Sequence, residues 1–128
     1  MSGHTIVNLK QLEASERAKA AGIDARMARS SLDSEHLGIS FFGYGPNAGG
    51  ATGHRHREQE EAYVVLRGSG QVRLDDEVHD IAQWDVVRVS PQVVRGFRAG
   101  PDGMDVLAIG SDRPEGGDGE MVQDFWAD

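Results

Sequence analysis

The sequence predicts an all-β fold, a sandwich or small barrel, on three observations. From Ile23 onward, short apolar stretches recur at close spacing, separated by turn-forming residues. The strongest stretch, residues 62–67, reads Ala-Tyr-Val-Val-Leu-Arg, with the β-branched and aromatic side chains that strands favour. The chain has 128 residues, 38% hydrophobic and 27% charged, which suits one domain around one core.

Before the strands, Asn8 is placed to cap a short helix carrying Leu9 and Leu12, with Glu13 and Arg17 at i,i+4 spacing and Gly22 as its stop. Strands are expected near residues 25–30 and 37–44, then a glycine-rich loop over 45–53. After the 62–67 strand, Gly68-Ser69-Gly70 reads as a hairpin turn into 71–74, and residues 75–77 as the next turn. Residues 78–81, 84–89, 93–98 and 104–109 continue the strand pattern. Residues 114–120 form an acidic, glycine-rich connector. The end of the chain carries Met121, Val122, Phe125 and Trp126, too much apolar surface for a free tail, so it should dock on the body or on a second subunit. The organisation is one domain in three parts: residues 1–36 with the N-terminal helix and first strands, 37–111 as the barrel core, and 112–128 as acidic linker and docking tail.

Composition narrows the function classes. A net charge of −8 disfavours nucleic acid binding through phosphates. No apolar run approaches the ~20 residues that span a bilayer. The first residues lack a cationic stretch followed by an apolar run, so no signal peptide is expected. The absence of cysteine removes disulfides, thiolate metal sites and thiol nucleophiles, and fits a cytoplasmic location.

Chemistry concentrates at His54, His56 and Glu61. Strand alternation puts His54 and His56 on one face, where both rings can reach one ion about 2.1 Å from each nitrogen. Glu61 has the opposite parity, but the polar residues 57–60 suit a bend that resets the phase. Glu61 then opens the apolar strand, in phase with Tyr63 and Val65. A His-x-His pair alone is more often a chance pair on a solvated edge. Glu61, the glycine-rich approach and the strand ending at Gly68 shift the reading towards metal ligands. Tyr63, Phe41, Phe97 and Met104 can line a cavity, with core packing as their ordinary role. His79 is a turn-proximal surface residue, and His36 and His4 have no supporting neighbours in sequence. Gly43 to Ala48 matches a dinucleotide-loop spacing, but Pro46 and the missing strand-then-helix context argue against it. Ser69 and Ser90 have no evident base, and the acids around Asp118 lack the spacing of a calcium loop.

Residues 49–68, with His54, His56, Glu61 and Gly68 at their spacings, resemble the first motif of the cupin superfamily; the leading glycine falls one position late, at Gly49. The second cupin motif has a weaker counterpart over 84–99. Trp84 stands for its first glycine, Pro91 is shifted, Gln92 stands for the second glycine, Arg95 for the histidine and Ala99 for the asparagine. The resemblance implies a single-domain jelly-roll β-barrel with a short N-terminal helix and a C-terminal tail. It implies an interior site with His54, His56 and Glu61 as ligands of a divalent ion (iron, manganese, nickel, zinc or copper), a small-molecule ligand, and a homodimer. The expected function is a cupin that binds such an ion and a small organic molecule, as a metal-dependent oxygenase or isomerase. The alternative is a non-catalytic ligand-binding cupin with a metal-free site. Arg95 divides these readings, because a guanidinium has no lone pair to give a cation. Either three ligands hold an ion and Arg95, with Tyr63, contacts the ligand, or Arg95 pairs with Glu61 in place of the ion.

Overall fold

A computed structural model describes residues 3–126. Met1, Ser2, Ala127 and Asp128, which the three-part division and the signal-peptide expectation include, lie outside the described residues. The all-β expectation holds. The helix expected from Asn8 is broken in two. Asn8 caps only a 3-10 turn, Leu9–Gln11, and a separate helix α1 (Glu16–Ala20) starts where the Ser15 side chain accepts from Ala18 N. Eight strands follow: β1 (Ile23–Met27), β2 (Gly38–Tyr44), β3 (Thr52–Arg55), β4 (Glu61–Leu74), β5 (Glu77–Ala82), β6 (Val86–Val89), β7 (Arg95–Gly110) and β8 (Glu120–Gln123). A one-turn helix α2 (Arg29–Leu32) lies between β1 and β2 and takes Arg29 and Ser30, which the sequence pattern assigns to a strand.

β4 and β7 organise the molecule. They pair antiparallel along their whole lengths, from Glu61↔Gly110 to Leu74↔Arg95. One half of this ribbon lies in the order β1-β2-β7-β4-β6, the other in the order β8-β3-β7-β4-β5. Gly68-Ser69-Gly70 is therefore not a hairpin turn. It is a bulge inside one long strand, where Ser69 alone faces the four residues 100–103 of β7. The two backbones meet so closely that a Cβ on Gly68, at φ +77°, would lie 2.2 Å from Gly103 O. For the same reason the strands expected over 93–98 and 104–109 are one strand, β7. Trp84 lies outside β6, in the turn before it. The core fills the space between the two halves with Tyr63, Val65, Val72, Phe97, Met104 and Val106, each at most 5% exposed.

The chain after Ser111 returns to the body. β8 pairs antiparallel with β3, matching Gly53↔Val122 and His54↔Met121. Trp126 is buried, with the Arg98 guanidinium 4.6 Å from its ring centre, and the Phe125 ring covers Gly53 and Gly96.

Candidate metal centre

β3 delivers His54 directly and His56 just beyond its end, both facing inward, while Arg55 between them faces out to Glu120 at 3.3 Å. His56 N donates to Pro91 O at 2.7 Å, which holds the strand end against the turn before β7. The bend over 57–60 resets the phase, and Glu61 opens β4 on the same interior face as Tyr63.

The donor atoms converge on one oxygen. Glu61 Oε1 stands 3.1 Å from His56 Nε2 and 3.4 Å from His54 Nε2. The two imidazoles lie edge-on, with centroids 5.1 Å apart and planes at 89°. All three ligand atoms lie within 4.8 Å of one another. Ligands about 2.1 Å from a common ion stand roughly 3.0–3.4 Å apart, so the three donors fit a divalent cation with little movement. Tyr63, itself 3% exposed, donates its hydroxyl to Glu61 Oε1. Burial raises the Glu61 pKa, but hydrogen bonds from His54 and Tyr63 and the charges of both histidines outweigh it and bring it down to about 2. Burial, with the Glu61 charge beside it, pushes the Tyr63 phenol well up, so Tyr63 remains a donor.

Arg95 lies opposite His54 in the β3–β7 register and is fully buried. Its terminal N–H groups donate to Ser90 O and Pro91 O, each at 3.2 Å, and to His54 O at 3.5 Å. Its Nε makes no hydrogen bond and lies 3.9 Å from Glu61 Oε1. The guanidinium thus ties three carbonyls together and sets a positive charge beside the carboxylate. It offers no fourth ligand.

Two cavities meet at His54, Phe42 and Tyr63. One, about 340 Å³, contains all three donors and is lined also by Arg29 and Arg113. The other, about 460 Å³, is mainly apolar, lined by Ile23, Tyr44, Phe97 and Val106 among others, with Arg95 in its wall. A larger hollow of about 540 Å³ beside β5 contains none of the donors.

Phe97 lines the apolar cavity and packs on Tyr63 with ring centres 4.7 Å apart. Met104 is core, and Phe41 is buried with Lys10 over its ring at 4.1 Å; Phe42, which carries no motif signal, lines both cavities. His79 stays on the surface, 3.3 Å from Glu77, and His36 pairs with Asp112 at 2.9 Å. The residue that sequence reasoning missed outright is Asp118. Its Oδ1 lies 2.9 Å from His56 Nδ1, and its side chain is 2% exposed.

An antiparallel barrel that gathers two histidines and a glutamate on one interior face defines a class of small β-barrels with a three-donor cluster. The Cupin domain family matches residues 40–110, and the chain belongs to that family. No curated protein matches it. Among solved structures it resembles a cupin protein from Bacteroides fragilis, at 22% identity over 88% of this chain and 86% of that one, with a TM-score of 0.72. It resembles the polyketide cyclase RemF from Streptomyces resistomycificus at 18% identity, over 97% and 87% of the two chains, with a TM-score of 0.71. It resembles the oxalate decarboxylase of B. subtilis at 20% identity, over 93% of this chain and 33% of that one, with a TM-score of 0.73.

Proposed function

We propose that this cupin holds one divalent metal ion at His54, His56 and Glu61 and acts on a small organic molecule bound between its two cavities, as an oxygenase- or isomerase-type enzyme. The observation that carries the reading is the convergence of His54 Nε2, His56 Nε2 and Glu61 Oε1 at 3.1–3.4 Å. When bound, the ion supplies Lewis acidity or an open position for oxygen. The protein supplies the rest. Phe42, Tyr44 and Phe97 exclude water from the apolar body of the ligand and orient it. Tyr63 holds a proton at its hydroxyl beside Glu61 and, at 3.4 Å, beside His54 Nε2, where it can bond to a ligand oxygen. Arg95 shares the ligand-binding wall, and its part is charge balance, because its terminal N–H groups are engaged by backbone carbonyls. An oxalate decarboxylase and a polyketide cyclase of like fold, both named for chemistry on small organic molecules, agree with this reading.

The second reading is a metal-free, non-catalytic ligand-binding cupin. Arg95 favours it, standing where a fourth ligand is expected and 3.9 Å from Glu61. Elemental analysis of protein purified without chelators separates the two. Stoichiometric iron, manganese, nickel, zinc or copper, lost in His56→Ala, is expected. Protein free of metal, with no thermal stabilisation by any of these ions, would establish the second reading instead. A cytoplasmic homodimer completes the proposal. Sedimentation at micromolar concentration tests the dimer. Among the described residues no helix is long and apolar enough to cross a membrane.

A further inference from the structure

Asp118 comes from the acidic connector, yet it is among the most buried polar residues of the chain. Its two oxygens have separate tasks. Oδ2 accepts from three consecutive backbone N–H groups, Arg57 at 3.1 Å, Glu58 at 2.6 Å and Gln59 at 3.1 Å. Such a nest of amides is a strong anion site. Oδ1 faces His56 Nδ1 at 2.9 Å. The bend held by Oδ2 is the one that brings Glu61 back into phase with the histidines. Asp118 therefore fixes both the spacing of the donors and the ring of one of them. Its own position is anchored on its C-terminal side by the β8–β3 pairing and the buried Trp126.

We propose that Asp118 is a positioning residue for His56. It keeps the ring proton on Nδ1, so that Nε2 presents its lone pair to the site. The proposal rests on the metal reading only for its effect on affinity. Two carboxylates face this ring, Asp118 Oδ1 at 2.9 Å from Nδ1 and Glu61 Oε1 at 3.1 Å from Nε2, and a neutral ring can donate to only one of them. Asp118 offers the shorter contact, while Glu61 Oε1 already accepts from Tyr63, so the single hydrogen is placed on Nδ1. Without such a partner a neutral imidazole can place that hydrogen on Nε2, where it blocks coordination.

Asp118→Asn tests this. The three backbone N–H groups demand an acceptor, so the amide oxygen takes the Oδ2 place and the amide NH₂ faces His56 Nδ1. The nest survives, and the ring must switch its hydrogen to Nε2. Nitrogen-15 NMR of the His56 ring, in metal-free protein at a pH where the ring is neutral, is expected to show the Nδ1–H form in the native chain and the Nε2–H form in the variant. Calorimetry with zinc or manganese is expected to show affinity about ten- to a hundredfold lower in the variant. An Nε2–H ring in the native protein overturns the proposal, and that measurement needs no variant to fold. So does a variant that keeps Nδ1–H, or one that switches tautomer with unchanged metal affinity. Native protein that binds no metal while the tautomer still switches supports the positioning role and defeats only the metal reading.

Discussion

Glu61 accepts from Tyr63 and faces both histidines, and its ionisation makes the site sensitive to acid. Its folded pKa of about 2 lies below the ordinary carboxylate value of 4.5, and that of Asp118 falls from 3.8 to about 2, where amides of residues 58 and 59 and the His56 ring outweigh burial. A depressed carboxylate stabilises the fold fully above its unfolded pKa and loses that contribution as pH falls through its folded pKa. Thermal stability is therefore expected to fall between about pH 5 and pH 2, with Glu61 contributing on the order of 3 kcal/mol. Glu61→Gln is expected to flatten part of that fall in melts followed by circular dichroism. A melting temperature level across this range in the native protein would count against the ionised cluster.

At the scale of elements, the turn before β6 carries an avoidable cost. Trp84 has φ +75°, a region that favours glycine, and is 69% exposed. Its backbone N–H donates to Val65 O at 2.8 Å, so the geometry is fixed by the register of β4. Trp84→Gly removes little packing and relieves the strain, with an expected gain of about 0.5–1 kcal/mol by urea titration. A loss of stability would mean that the indole contributes contacts outweighing its backbone strain. The elements legible in advance were those with local signals. Residues 62–67, 71–74 and 78–81, and 86–89 of the expected 84–89, lie in strands, because alternation and turn chemistry are written within a few residues. The lengths of β4 and β7 were not legible, because a bulge at Gly68 is chosen by the strand opposite it. In the site, His54, His56 and Glu61 were legible from spacing and motif. Asp118 was not, since 62 residues separate it from the ring it touches and its local context is that of a loose loop.

Across the whole molecule, stability is layered around the β4–β7 ribbon. The tail is held by four β8–β3 pairings and by Phe125 and Trp126. Trp126→Ala is expected to cost about 3 kcal/mol, the order found for emptying a buried aromatic site. Hydrogen exchange is expected to show the loss first in the amides of Met121 and Val122, with those of Val65, Val72 and Val106 retaining protection. Uniform loss across both groups would show that the tail and barrel unfold as one unit.

The hydrogen bond between Asp118 and His56 also sets an order in time. During synthesis His56 precedes its carboxylate by 62 residues, roughly 3–12 s at ordinary elongation rates. A nascent chain thus presents an imidazole whose orienting partner has yet to be made. Under the proposed metal reading, loading belongs to the finished protein rather than to the growing one.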